Sequence, residues 1–398
     1  MLSSALVLAA AFIGADTEPC DPDDAGACFG NGICMRTAQM PMCACAAGWR
    51  GAACDVLGLG IVDVTQLGYR NASDPTWGGA STVIQHRDPA HGGAWHLHLF
   101  TAGKKPTDGP VIGSTTTRAV RAVSITGPSG PYRFAQVLGS TPPGRLGAGG
   151  IGLRVDVHRT PNGSLAMFTV GSLDNKWGLV ALVSPVGDPA GPWLPSMLYR
   201  IRLNASARWD CGQLNDATAS IGADGALLVA YRTQFNCAGQ PLERVGLLHS
   251  PHWATGPLTK LTTDATAPLF GNLNSNEDPY LWRSARGVHM LLHTQAGANG
   301  KGWPDRKTRG AVAFAPGDGT NISAWRVSLN PAWTANVSWS NGSSTGAMRR
   351  QRPALIVGEG GSATHLITGV NFAAADFHST NADWTLVTPL SAAFPAVE

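Results

Sequence analysis

The residues best placed to do chemistry are carboxylates that head apolar runs. Asn276-Glu277-Asp278-Pro279-Tyr280-Leu281-Trp282 opens one such run and Asn215-Asp216-Ala217-Thr218-Ala219 opens another. A carboxylic acid and a carboxylate facing one bound molecule can divide proton donation and proton acceptance between them. Asp278 beside Glu277 is expected to raise the proton affinity of Glu277 through like charge and partial burial; next to Pro279, Asp278 itself reads as a turn residue. Arg349, Arg350 and Arg352 offer forked cationic groups suited to carboxylated or sulfated ligands, or to salt bridges between strands. His96 and His98 stand two apart, and His289 and His293 four apart, so on a strand each pair shares a face. With no Cys or carboxylate at ligand spacing beside them, they read as packed side chains and no metal site is expected.

Such residues have to be held by short strands. The chain has 398 residues with 49 Gly and 27 Pro, 43% hydrophobic and 14% charged, which excludes a disordered polymer and disfavours a helical bundle. A formal charge of +3 gives no footprint for a polyanion, so no nucleic-acid partner is expected. From about residue 56 a strand, a Gly-containing turn and an apolar strand recur. The turns are His91-Gly92-Gly93, Pro161-Asn162-Gly163, Ala223-Asp224-Gly225, Ala285-Arg286-Gly287 and Glu359-Gly360-Gly361, about 60 to 75 residues apart. Five units of that length, each a four-stranded sheet, predict an all-β chain folded as a five-bladed β-propeller; a two-sheet sandwich uses the same hairpins. The segments before the turns would line the channel: Trp77–Thr82, Gly152–Asp156, Asn215–Ala219, Asn276–Pro279 and Arg350–Pro353. Their polar residues recur at one end of the repeat, which gathers the chemistry at one mouth.

The N-terminal region has a different texture. Ala5–Ile13 is apolar and is followed by Gly14-Ala15, so residues 1–15 are expected to be a signal peptide and the protein secreted, extracellular or at the cell surface. Asn-x-Ser sequons at Asn71, Asn162, Asn204, Asn321, Asn336 and Asn341 suit a glycoprotein, and no later apolar run is long enough to predict a membrane span. Six of the 8 Cys crowd into Cys20–Cys54, closing with Cys45-Ala-Ala-Gly48-Trp49-Arg-Gly51-Ala-Ala-Cys54. This spacing resembles an epidermal-growth-factor-like (EGF-like) module over residues 16–55, a small disulfide-rich unit in which covalent loop closure replaces a core. The resemblance implies the pairs Cys20 with Cys34, Cys28 with Cys43 and Cys45 with Cys54. The acidic and aromatic signature of the calcium-binding subtype is missing, so no calcium is expected there. Cys211 and Cys237 flank the strand-like run Leu227–Arg232 and are expected to close a disulfide across a long hairpin.

The Asn276–Trp282 string followed by Gly287-Val-His289-Met-Leu-Leu-His293 resembles the fourth-blade signature of the family-43 glycoside hydrolases and the arabinanase, levansucrase and invertase group around them. Asn215-Asp216 with Asp224-Gly225 is similar to their third-blade segment. The resemblance spans roughly residues 60 to 395 of a propeller read as residues 56–398, and implies hydrolysis by paired carboxylates, with Glu277 as general acid and Asp216 as the carboxylate that orients and tunes it. The hairpin of the first blade places Gly79-Ala80-Ser81 where the family has its basic Asp, which leaves Asp74, in Asp74-Pro75, as the candidate base. Arg309–Phe314, read as part of the fifth blade, has Ala311 where related propellers present a channel histidine, so no cofactor is expected and a channel calcium has no support. Trp77, Arg352, Asn215, Asn276 and Asp156 are the candidate substrate-binding residues, with Trp282, Trp303, Trp325, Trp333 and Trp339 as further faces for stacking on sugar rings. The expected function is hydrolysis or recognition of a glycan or polysaccharide. The rivals are a catalytically inactive sugar-binding propeller and an adhesive or matrix scaffold whose EGF-like module contacts extracellular proteins.

Overall fold

The computed structural model describes residues 20–37, 40–70, 82–88, 93–104, 117–138, 146–151, 154–174, 176–200, 209–233, 243–263, 269–270, 275–296, 309–328, 330–358, 361–372 and 383–391. Five antiparallel sheets follow one another along the chain as the blades of a β-propeller. Blade 1 runs through Thr82–Asp88, Ala94–Lys104, Thr117–Ser124 and Arg133–Leu138, and blade 2 through Asp156–Arg159, Leu165–Leu173, Lys176–Ser184 and Leu194–Arg200. Blade 3 is built from Asn215–Ile221, Leu227–Arg232, Val245–Ser250 and Thr259–Lys260. Blade 4 comprises Ser275–Ser284, Gly287–Ala296, Arg309–Pro316 and Arg326–Val327, and blade 5 Arg349–Val357, Ala363–Asn371 and Asp383–Pro389. The run Arg309–Pro316 pairs with Gly287–Ala296 and so is the third strand of blade 4; the expectation that Arg309–Phe314 is part of the fifth blade is corrected, and Ala311 is a buried residue of that strand.

Each sheet is covered on both faces by its neighbours, which explains why second strands read as unbroken apolar runs rather than alternating ones. Leu165–Leu173 is buried at all 9 positions. Phe100, Val157 and Met167 pack between blades 1 and 2, Phe168, Ala219 and Val229 between blades 2 and 3, and Leu228, Leu281 and Met290 between blades 3 and 4. The N-terminal strand-like segment closes the ring: Tyr69 exchanges backbone hydrogen bonds with Thr385 at 2.9 and 3.1 Å, so the start of the propeller lies on the outer edge of its last blade.

One hydrogen bond repeats from blade to blade at the channel. The Val157 amide donates to Thr82 Oγ1 (3.1 Å), the Ala219 amide to Asp156 Oδ2 (2.8 Å) and the Leu281 amide to Thr218 Oγ1 (3.2 Å), while the Tyr280 hydroxyl donates to the Leu355 carbonyl (3.2 Å). Thr82, Asp156, Thr218 and Tyr280 are thus equivalent positions on successive inner strands, each reaching the following blade one residue further on.

The N-terminal module is pinned by disulfides Cys20–Cys34, Cys28–Cys43 and Cys45–Cys54, the pairing the resemblance implied. It packs on the propeller at the turn end of the blade 4 inner strand. Trp49 stacks on Trp282 (centroids 6.1 Å, 12° between planes), Arg286 hydrogen-bonds the Gly32 carbonyl and Arg326 pairs with Asp24. Gly30, at φ +65°, lies so close to Phe314 that a Cβ there would sit 2.4 Å from the ring, so the contact requires glycine. A cavity of about 200 Å³ remains in the seam, lined by Asn31, Trp49, Trp282, Ser284 and His289. Cys211 is disulfide-bonded, and Cys237 lies outside the described residues.

Candidate functional site

Near the start of the inner strand in blades 3, 4 and 5 the pairing slips, and two residues face one on the second strand. Asp216-Ala217, Asp278-Pro279 and Arg352-Pro353 form these bulges. Their leading residues adopt left-handed backbone, at φ +43°, +51° and +53°, a conformation that costs about 1–3 kcal/mol for a residue with a side chain and collects at functional sites. Asp216, Asp278 and Arg352 are therefore structural equivalents, and Glu277 is equivalent to Asn215 rather than to Asp216.

The residue paired across the sheet supplies a cation. Arg232 stands opposite Asn215 and His293 stands opposite Glu277. Arg232 Nε bonds Asp216 Oδ2, and its Nη1 lies 2.5 Å from Glu243 Oε1. His293 Nδ1 lies 2.7 Å from Glu277 Oε1 and 3.5 Å from Asp278 Oδ2. On the far side of Asp278, Arg352 donates its backbone amide to Oδ2 (3.2 Å) and brings Nε to 3.7 Å from Oδ1. Asp216, Glu243, Glu277 and Asp278, with Arg232, His293 and Arg352, thus form one continuous buried network. Glu277 is the most exposed of its carboxylates, with 10% of its side chain exposed against 3% for each of the other three, beside Arg232 at 14%.

Glu243 and His293 belong to the network although the sequence reading gave them no role. Glu243 just precedes the third strand of blade 3, and its carbonyl accepts the Asn276 amide (3.1 Å), which sets it beside Glu277 across the blade boundary. Burial pushes the Glu243 carboxyl well above the usual range, and the charge of Glu277 adds to this more than Arg232 offsets. Burial acts on Glu277 in the same sense. There, however, the charge and hydrogen bond of His293, a hydrogen bond from Glu243 and the charge of Arg232 outweigh it and hold Glu277 well below the usual range. Burial would likewise lower His293, but Glu277 and Asp278 reverse this and raise it to about 9. The expected elevation of Glu277 by Asp278 is thus corrected: an imidazolium sits between the two carboxylates.

The remaining sequence candidates fall in several places. Asp156 is 1% exposed, and both of its oxygens have protein partners: Thr82 Oγ1 (2.8 Å), Thr218 Oγ1 (2.6 Å), the Ala219 amide and His158 Nε2 (3.1 Å), so it ties three blades together. Asn276 is buried and Asn215 half-buried at the same end of the channel as Glu277. Arg350 is fully buried within blade 5, bonded to Thr368, Thr388 and the carbonyls of Thr334 and Asn336. Trp282, Trp325 and Trp333 are core residues, which corrects the expectation that they offer stacking faces; Trp339 is half-buried against Phe372 (5.7 Å). Asp74, Trp77 and Trp303 lie outside the described residues. Donor atoms of Glu277, Asp278 and His293 fall within 4.8 Å of one another, but protein cations already meet their charge, and a metal ion would have to displace the proton of His293.

Residues 20–53 match the family model of the EGF-like domain. This module is an EGF-like domain. No curated protein matches the sequence. Among solved structures the chain is similar to Zg3597, a family 117 glycoside hydrolase of the marine bacterium Zobellia galactanivorans, at 11% identity, covering 85% of this chain and 90% of that one with a TM-score of 0.52. It is also similar to the catalytic domain of the GH62 alpha-L-arabinofuranosidase of Coprinopsis cinerea, at 14% identity, 82% and 96% coverage and a TM-score of 0.52. The alpha-L-arabinofuranosidase PaAbf62A of Podospora anserina, solved in complex with cellotriose, matches at 12% identity, 83% and 95% coverage and a TM-score of 0.55. At such identities the likeness is one of fold. The EGF-like domain of this chain precedes a five-bladed propeller.

Proposed function

We propose that the protein is secreted and acts on glycans at the mouth of its propeller, by glycoside hydrolysis in which Glu277 protonates the leaving oxygen and Asp216, acting through Arg232 and Glu243, sets the charge around it. The observation that carries this reading is the network itself: four carboxylates drawn to one end of the channel, two of them, Asp216 and Asp278, leading bulges, with Glu277 the most exposed of the four side chains. Buried charges cost several kcal/mol each unless paired, so an array like this belongs where chemistry needs it. Asp74 is the proposed base. Arg352, Asn215 and Asn276 line the approach to Glu277, and the EGF-like domain contacts extracellular proteins.

A second reading is recognition of a glycan without turnover. It is favoured by the first-blade sequence Gly79-Ala80-Ser81, which carries no acid where the resemblance expects the base. The two readings separate in one experiment. Arabinan, arabinoxylan and other oligosaccharides are incubated with the parent and with Glu277→Gln, while glycan binding is measured in parallel. Hydrolysis by the parent that collapses in the variant supports the enzyme; binding without hydrolysis in either protein supports the receptor and removes the enzyme.

A further inference from the structure

A cation crosses the propeller from side to side. Arg154 stands two residues ahead of Asp156, just before the inner strand of blade 2, and is 2% exposed although its charge is permanent. Its Nη2 donates to the Pro353 carbonyl (3.0 Å) and its Nη1 to the Asp278 carbonyl (3.4 Å), and its Cζ lies 5.6 Å from the centroid of the Tyr280 ring. Blade 2 borders blades 1 and 3, so a side chain of blade 2 that reaches blades 4 and 5 has to pass through the channel. Its root is tied down in blade 2, where Thr169 Oγ1 donates to the Arg154 carbonyl (2.7 Å). Both carbonyls that receive the guanidinium belong to bulges, Asp278-Pro279 in blade 4 and Arg352-Pro353 in blade 5. A bulge takes a residue out of the ladder, and a buried carbonyl left there needs a donor from elsewhere. Burial lowers the proton affinity of Arg154, and the charges of Asp156, Asp278 and Asp216 offset part of this, so carboxylates of three blades face the group.

We propose that Arg154 is the resident cation of the channel, a strut that holds the bulges of blades 4 and 5 across it, positions Glu277 and takes the oxygens a metal ion would use. The planar fork donates from two nitrogens at a fixed separation, so it sets the distance between the two carbonyls it bonds. Glu277 directly precedes Asp278, and the Arg352 amide bonds Asp278 Oδ2 (3.2 Å), so both side chains take their places from backbone that Arg154 holds. A channel calcium, raised by the resemblance, would need several oxygen ligands. The carbonyls of Asp278 and Pro353 are already given to the guanidinium, and a divalent ion beside it would meet like charge. The channel of this chain therefore carries its positive charge on a side chain. The effect of the strut on turnover rests on the hydrolase reading above; the strut itself and the exclusion of a metal do not.

The test replaces Arg154 in the full chain and reads thermal melting in calcium chloride and in EDTA. Arg154→Ala leaves the two carbonyls and the carboxylates of Asp156, Asp216 and Asp278 without the guanidinium, and calcium is expected to raise its melting temperature. The parent is expected to melt alike in both solutions. Arg350→Met, which removes a buried arginine held within blade 5, is expected to melt lower than the parent in both. Calcium that stabilises parent and Arg154→Ala equally, or neither, overturns the exchange of a side chain for a metal. Should the Ala variant fail to fold, Arg154→Lys keeps the charge and loses the fork. Amide hydrogen exchange at Asp278 and Arg352 is then expected to quicken by about tenfold or more, with exchange at Leu99 in blade 1 unchanged; equal exchange in parent and Lys variant overturns the strut. If the parent hydrolyses glycans, Arg154→Lys is expected to lower kcat by about 10²-fold at nearly constant KM, and a rise in KM at constant kcat removes the positioning role. Quickened exchange in a chain without turnover keeps the strut and removes the hydrolase; turnover with exchange unchanged does the reverse.

Discussion

Blades 3 and 4 place the same backbone device around opposite kinds of charge. In both, a two-residue bulge led by an aspartate in left-handed conformation presents one side chain to the mouth, and the second strand returns a cation opposite it. In blade 3 the cation is Arg232, whose charge is permanent, and the mouth-facing residue is the neutral Asn215. In blade 4 the cation is His293, which can give up its proton, and the mouth-facing residue is Glu277. Blade 3 is therefore a fixed electrostatic frame and blade 4 the part that can exchange protons.

The sharpest way to break this contrast is at Glu277 itself. Glu277→Gln is expected to reduce glycan turnover by about 10²- to 10⁴-fold, measured as reducing-sugar release, with the fold preserved by circular dichroism; equal loss on replacing Asn215 by Ala would erase the distinction between the blades. Arg232→Met leaves Asp216 and Glu243 without their shared cation and should cost about 3–5 kcal/mol of stability, read as a fall in denaturation midpoint. His293 gives a pH-dependent counterpart. Its folded pKa of about 9 stands above the unfolded value of 6.5, so its contribution is complete below pH 6.5 and is lost as pH climbs through 9. A shift of this size corresponds to roughly 3 kcal/mol, and His293→Gln should flatten the stability curve between those limits, whereas Arg232→Met should not. The smallest effect is expected at Thr218→Val, which removes a hydroxyl bonded to Asp156 and to the Leu281 amide while keeping the shape. About 1–3 kcal/mol of stability should be lost with no change in the pH profile.

How much of this was legible follows from where each signal lies along the chain. The hairpins of blades 2, 3 and 4 could be found because their tight turns carry Gly163, Gly225 and Gly287 between apolar strands, and the cysteine spacing marked the EGF-like domain. His293 was within reach. Counting back from the turn that pairs Ser284 with Gly287, and allowing one extra residue for Asp278-Pro279, sets it opposite Glu277. The stacking role read into Trp282, Trp325 and Trp333 failed because a tryptophan at a strand end can face the next blade as readily as solvent, and only the closed ring decides which. Glu243 left no local trace. It stands in the polar segment Gln240-Pro-Leu-Glu-Arg244, and it meets Glu277 only because blade 4 packs against blade 3, a contact between residues 34 positions apart.

The inner strand of blade 4 begins at the buried carboxylate network and ends at the EGF-like domain, with Asp278 and Ser284 separated by roughly 20 Å at about 3.3 Å per residue. The EGF-like domain and the carboxylate network therefore lie at opposite ends of one strand, on opposite sides of the propeller. Whatever grips the domain leaves the mouth unobstructed and aims it away from the point of attachment. Because Trp49, Gly30, Arg286 and Arg326 lock the two parts together, that aim is set by the fold and not by a swivelling tether.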